Sequence, residues 1–229
     1  VVVSLDKMNT VSDVNLIDRT ITVGAGAITQ QIQEAASAAG LFYPVDFASS
    51  GSSQIGGNIA TNAGGINVIR YGMTREWVAG LTVVTGAGDI IELNKGLVKN
   101  NTGLDFRHLF IGSEGILGFI VEATLKLCAP PKDPIVMVLG LSDMSAIMAV
   151  LERIQSATPL LAYEFFSELA VTKVVEHAGV ARPFATVTPF YALIEFERND
   201  EQTEVDVFEA VENCMELGWV KDAVMSQSV

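Results

Sequence analysis

Residues 51 to 65 read Gly-Ser-Ser-Gln-Ile-Gly-Gly-Asn-Ile-Ala-Thr-Asn-Ala-Gly-Gly, with no charged side chain among them. Such a segment cannot fill a core with large side chains. What it can do is bring backbone N–H groups close to a flat, polar or phosphorylated ligand, because glycine removes the Cβ and permits positive φ. Asn62 and Thr61 add side chains able to hydrogen-bond the polar edge of such a ligand. No Gly-Lys-Ser/Thr follows, and the glycines do not open a helix directly after a strand in the dinucleotide pattern. An ATP or nicotinamide site of the usual kind is therefore not indicated. The competing reading is a buried bend, where glycines serve only close packing.

Other residues tempt a search for a base or a ligand. His108 lies among apolar neighbours on an expected helix, and His177 lies at an expected helix end before Gly179. Neither has a second histidine at metal spacing, so both read as structural and no metal is expected. Cys128 and Cys214 are far apart in unlike contexts. They read as two reduced thiols in a cytosolic protein rather than a disulfide framework. Arg70 and Tyr71 follow the glycine-rich stretch, where an arginine could neutralise an anionic group or form an ion pair that fixes the loop.

The elements that must position these residues are legible from periodicity. The first half predicts a strand over 17–26, a helix over 28–39 stopped by Gly40, a strand at 78–85 turning through Gly86–Asp89 into 90–93, and an alternating strand at 118–127. The second half predicts a strand at 135–141, a helix at 143–156 opened by Ser142 or Asp143, a strand around 161–166 and a helix at 167–178. A strand at 189–197 and an acidic helix at 202–217 complete it. Strands and helices in this alternation fit an α+β fold with helices on one face of a sheet. The opening Val1–Asp6 reads as strand-like, without a signal-peptide pattern, and suggests a fragment of something longer.

Glycine and charge locate a boundary. Residues 1–130 hold 17 of the 20 glycines with net charge −3, whereas residues 131–229 hold three glycines and carry −10. Between them Ala129–Pro134 contains three prolines, which stop regular pairing and stiffen the connection. Two domains, 1–130 and 131–229, are expected. The net charge of −13 argues against nucleic acid and anionic membrane as partners, and no apolar run is long enough to span a bilayer.

The glycine-rich stretch resembles the flavin-contacting loop of the vanillyl-alcohol-oxidase, or PCMH-type, family of FAD enzymes. The resemblance continues in order through Arg70-Tyr71-Gly72, Asn101–Asp105 and Leu109–Gly118. Within the family it is similar to the D-2-hydroxy acid dehydrogenase branch, and Ala162–Phe165 with Phe190–Glu195 resembles the subgroup acting on D-2-hydroxyglutarate. D-lactate or glycolate oxidation is the near alternative, and a non-catalytic module that kept the fold without flavin is a second.

The resemblance implies that residues 1–130 are the second subdomain of an FAD-binding domain and 131–229 the start of a ferredoxin-like cap over substrate. It implies non-covalent FAD contacted by Pro44, Gly51, Ser52, Ile55, Gly56, Gly57, Asn58, Thr61, Asn62 and Gly64, with Glu114, Gly115, Gly118 and Ile120 closing on the ribityl and adenosine side. Arg70, Tyr71, Tyr163 and Glu164 are the candidates for the substrate pocket, and of Tyr163 and Glu164 only one can face the flavin side of a strand. Catalytic base, carboxylate clamp and metal-binding histidines belong to family segments outside this chain. So does the pyrophosphate loop, which implies weak FAD retention and no activity for the chain alone. Electrons would pass to a carrier other than NAD, in a cytoplasmic protein that could sit peripherally at the inner membrane through that acceptor.

Overall fold

A computed structural model describes residues 2–97 and 99–226. Two compact units meet at the proline joint, Val1–Pro130 and Pro131–Val229. In the first unit, β1 (Thr20–Gly24) leads into α1 (Thr29–Ala38), followed by the short helices α2 (Ile55–Ala60), α3 (Val68–Tyr71) and α4 (Thr74–Trp77). Then come β2 (Val78–Thr85), β3 (Ile90–Leu93), the single turn α5 (Arg107–Phe110) and β4 (Gly118–Lys126). The strands form one antiparallel sheet in the order β1-β4-β2-β3. Alternation buries Ile21, Val23, Leu81, Val83, Ala123 and Leu125 on one face, where Ile32, Ala36, Ile55 and Ile59 from α1 and α2 complete the core.

Gly40, at φ +72°, follows α1 as its spacing predicted. The first strand is shorter than periodicity suggests, because Arg19 turns at φ +51° and residues 15–20 close a tight loop. Residues 2–5 form no strand, contrary to the strand-like reading of the opening segment, and Val1 lies outside the described residues. Val2 and Val3 are exposed, so nothing buries one face of that segment as a strand would need.

The second unit runs β5 (Pro134–Leu141), α6 (Met144–Ala157), β6 (Leu160–Ser167), α7 (Glu168–Ala178), β7 (Phe190–Glu197), α8 (Glu201–Glu216) and β8 (Val220–Met225). Its antiparallel sheet has the order β6-β7-β5-β8. With α7 set aside this is βαββαβ, the ferredoxin-like arrangement. Asp143 caps α6 by accepting from the Ser145 and Ala146 N–H groups at 2.8 and 3.1 Å, and Asp200 caps α8 by accepting from Thr203 N–H at 2.8 Å. Ile147, Val150 and Ile154 of α6 and Val207, Val211 and Cys214 of α8 bury against Met137, Leu139, Ile194 and Phe196 of the sheet. Hence the acidic residues of α8 fall on its outer side.

Sequence patterning had not placed β8, whose Val-Lys-Asp-Ala-Val-Met lacks a clean alternation. Pairing with β5 organises it. On the sheet face away from α6 and α8, Tyr191 stacks between Phe166 and Phe184 at centroid distances of 5.5 and 5.6 Å. Its hydroxyl donates to Glu168 Oε2 at 2.7 Å, and Arg182 donates two further bonds to the same carboxylate. These donors hold the Glu168 carboxyl down at about 2, the Arg182 fork contributing most.

A carboxyl lowered in the folded state contributes stability above its unfolded value, and that stability is lost as pH falls towards the folded value. Glu168→Gln is therefore expected to lower the melting temperature at neutral pH. The gap from wild type should close as pH falls from about 4.5 towards about 2. Thermal unfolding of both forms across that range checks it, and a gap independent of pH would contradict it.

Candidate cofactor site

The glycine-rich stretch is not simply a loop. Six of its residues, Ile55 to Ala60, form α2, which the glycines alone would not suggest because each weakens a helix. Backbone carbonyls from the neighbouring segment set its position. Ile55 N–H donates to Ala27 O at 2.9 Å and Gly56 N–H to Ala25 O at 2.8 Å. A Cβ on Gly56 would stand 2.7 Å from Ala25 Cβ, so only glycine lets the helix lie this close to the end of β1.

Residues 50–53 in turn serve α1. Thr29 N–H donates to Ser53 O and Gln30 N–H to Ser50 O, both at 3.0 Å, which satisfies two donors that a helix start leaves open. Buried Asn58 ties the two helices by donating to Thr29 Oγ1 at 2.6 Å.

The second motif docks on the other end of α2. Gly112 N–H donates to Ile59 O at 3.0 Å and Glu114 N–H to Ala60 O at 2.8 Å, closing carbonyls at the helix C-terminus. This turn holds three residues in the left-handed region, Gly112 at +82°, Glu114 at +52° and Gly115 at +80°. The structure thus brings together residues 51–64 and 112–118, which sit far apart in sequence.

Within that assembly the candidate residues separate. Gly51, Ser52, Gly57, Thr61, Glu114 and Gly115 are exposed, Asn62 and Gly64 are half-buried, and Pro44, Ile55, Gly56, Asn58, Gly118 and Ile120 are buried. Thr61 Oγ1 donates to Gly57 O at 3.0 Å, and Asn62 Oδ1 accepts from Arg75 N–H at 3.0 Å. Both side chains are thus engaged locally. Ile120 points into the core, and Gly118 lies where a Cβ would approach Val84 O at 2.7 Å. Gly57 and Gly115 differ from these: nothing lies within 4 Å of where their Cβ atoms would be. That pair leaves an uncovered backbone beside α2, the kind of surface a flat ring or a ribityl chain can approach.

Tyr71 packs edge-on between Phe42 and Trp77, at 5.9 and 6.1 Å, and its carbonyl accepts from Trp77 Nε1 at 2.8 Å. Arg70 precedes it on α3, exposed. Sequence reasoning missed Arg75, which bonds to both motifs and which no spacing singles out.

In the second unit Tyr163 turns to the helix layer and donates to Ile147 O at 2.6 Å, with burial pushing its hydroxyl pKa up. Glu164, next on β6, is exposed on the opposite face. Among the described residues no group of three or more His, Cys, Asp or Glu could hold a metal ion, and no helix is long and apolar enough to cross a membrane.

Two family models match the chain. Residues 1–94 match the FAD binding domain and residues 130–228 match the C-terminal domain of FAD linked oxidases. The chain belongs to the FAD-linked oxidase family, whose cofactor is FAD. It is 56% identical over 228 residues to D-2-hydroxyglutarate dehydrogenase of Stutzerimonas stutzeri (strain A1501), covering 100% of this chain and 49% of that protein. It is 35% identical over 222 residues to glycolate oxidase subunit GlcD of Bacillus subtilis (strain 168), covering 96% of this chain and 46% of that one. Alkyldihydroxyacetonephosphate synthase shares the fold with a TM-score of 0.72 at 20% identity, over 97% of this chain and 42% of that structure. The chain thus spans about half the length of the curated relatives it matches.

Because Gly56 stands against Ala25, Gly56→Val is expected to cost about 1–3 kcal/mol of stability through overpacking. Denaturant unfolding of the first unit's transition measures it, and a loss under about 0.5 kcal/mol would mean that the helix can move away freely.

Proposed function

We propose that the intact protein is an FAD-dependent dehydrogenase that oxidises a D-2-hydroxy acid to the 2-keto acid, with D-2-hydroxyglutarate as substrate. The observation that carries the flavin part is Gly57. A glycine inside a helix costs about 1 kcal/mol relative to alanine, and here neither positive φ nor a close neighbour requires it. An uncompensated cost of this kind fits a backbone that a ligand must approach. Bound FAD supplies the acceptor for the two electrons of the oxidation.

On this reading residues 1–130 are the second FAD subdomain and 131–229 the beginning of the cap. Gly57, Gly115 and the exposed Thr61 and Glu114 border the cofactor. Buried Ile55, Asn58 and Ile120 hold that border in place, as do Pro44, Gly56 and Gly118. Gly51, Ser52, Asn62 and Gly64 complete the loop. Arg70 and Tyr71 then lie beyond the loop, and of the cap pair it is Glu164 rather than Tyr163 that is free to face a substrate. The base that takes the hydroxyl proton and the cations that hold the carboxylate come from other parts of the intact protein. Electrons leave to a carrier other than NAD. Cys128 and Cys214 form no disulfide with each other, which suits a reducing, cytoplasmic setting.

The specific substrate rests on the similarity to a D-2-hydroxyglutarate dehydrogenase. The similarity to a glycolate oxidase subunit supports glycolate, with D-lactate beside it, as the second reading.

Anaerobic addition of D-2-hydroxyglutarate, D-lactate and glycolate separately to the intact protein tests this. Rapid bleaching of the flavin by the first is expected. Bleaching by another of the three would move the substrate, a yellow protein that none reduces would remove the activity, and a colourless one the cofactor. Gly57→Ala should separate fold from ligand, raising apoprotein stability by about 0.5–1 kcal/mol while weakening FAD binding. Denaturant unfolding and FAD titration of the apoprotein measure the two effects, and unchanged affinity would contradict the assignment.

A further inference from the structure

From the bonding of Arg75 we infer that it is a positioning residue for the cofactor site, a clamp that holds the two glycine-bearing motifs in one register. The inference rests on the flavin reading above. Arg75 lies on α4, directly after Thr74, whose N–H and Oγ1 both donate to Ala63 O, at 3.0 and 2.7 Å. The Arg75 N–H donates to Asn62 Oδ1 at 3.0 Å, so the backbone of α4 fixes the end of the first motif, where Asn62 turns at φ +49°.

The side chain reaches the other way. Nη1 donates to His108 O and to His108 Nδ1, each at 3.0 Å, and Nη2 donates to Ile111 O at 2.6 Å. These acceptors flank the start of the turn at Gly112, whose N–H, with that of Glu114, closes the C-terminus of α2. One residue thereby joins both ends of the exposed rim that carries Gly57, Thr61, Glu114 and Gly115.

Three features make this specific to arginine. The acceptors, two carbonyls and a ring nitrogen, are divided between Nη1 and Nη2, an arrangement suited to a planar fork, whereas lysine would have to meet all three from one nitrogen. Acceptance at Nδ1 requires the His108 tautomer with hydrogen on Nε2, and that nitrogen lies 3.4 Å from Asp105 Oδ2. Gly112 makes room: a Cβ there would stand 3.3 Å from Nη2 and 3.4 Å from Asn62 Cβ. The neighbouring Arg107 bonds instead to Val78 O and Ala79 O at the start of β2, so it ties α5 to the sheet and not to the loop.

A rim held this way binds its ligand without first having to be ordered, which is where a clamp gains affinity. Arg75→Gln and Arg75→Lys in the intact protein test it, with FAD titrated into apoprotein by flavin fluorescence. Hydrogen exchange at Gly112 and Glu114 reports the clamp itself. Both variants are expected to bind FAD about tenfold or more weakly, the range that loss of a charge-assisted bond produces, with faster exchange at those two amides.

FAD affinity of Arg75→Gln within twofold of wild type would overturn the inference. So would Arg75→Lys binding like wild type while Arg75→Gln does not, since charge rather than the fork would then matter. If Arg75→Gln fails to fold, His108→Leu removes the ring acceptor, with its Asp105 contact, while leaving both carbonyl acceptors, and a weakened affinity is again expected against an unchanged one. Wild-type apoprotein that takes up no FAD would sink the flavin reading itself, whereas normal uptake with unaffected variants would sink only the clamp.

Discussion

The close approach of α2 to the end of β1 is the constraint on which the first unit depends. Backbone N–H groups of Ile55 and Gly56 meet the carbonyls of Ala27 and Ala25, and this contact closes only because residue 56 has no side chain. From it follow the burial of Ile55 and Ile59 in the sheet core and the direction in which α2 points its free face. The rim that borders the candidate cofactor site is the far side of that same helix. On the flavin reading, packing and function draw on adjacent residues of one Gly-Gly pair, with Gly56 crowded against Ala25 and Gly57 open.

That division also tells the competing accounts of a glycine-rich stretch apart. A bend shaped only by packing would leave each glycine crowded, as Gly56, Gly80 and Gly118 are. A stretch shaped only by a ligand would leave few of them crowded. The observed mixture has crowded positions inside and open ones along a rim. It fits the proposal that a short helix is pinned to a sheet on one side and approached by the cofactor on the other. The left-handed turn at 112–115 extends the rim, because Gly112 and Glu114 use their N–H groups to finish α2 and leave Gly115 uncovered.

Much of this was legible in the sequence, for reasons that differ by element. Helices α1, α6 and α8 were legible as helical segments, α6 also through Ser142 or Asp143 before its first turn, whereas the Asp200 cap of α8 was not singled out. The alternating strands β2, β4, β5 and β7 were equally clear. The short helices were not, because four to six residues give no periodicity, and α2 contains glycines that argue locally against a helix. β8 was hidden because only its pairing with β5 organises it. At the candidate site, residue types singled out the stretch but not which of its members are exposed, since that depends on contacts with Ala25, Ile59 and Ala60 that no spacing encodes. Arg75 was invisible for the same reason: two of its side chain's three acceptors are backbone carbonyls, which leave no trace in residue identity.

The charge distribution bears on how an anionic substrate could be handled. Three of the arginines are consumed internally, Arg107 by Asp105 and two β2 carbonyls, Arg182 by Glu168, and Arg198 by Asp133 and Glu204. Arg75 is occupied by the clamp. A guanidinium already committed to a carboxylate or to several carbonyls offers little to a further anion, because breaking those bonds costs about what a new pair returns. The outward face of β6 meanwhile presents Glu164, a group that repels a dianion unless cations surround it. On the 2-hydroxy acid reading, these four arginines are therefore held by the chain's own acceptors rather than offered to the substrate. On that reading the cations that hold the carboxylates are those proposed to lie elsewhere in the intact protein, together with Arg70 beyond the loop.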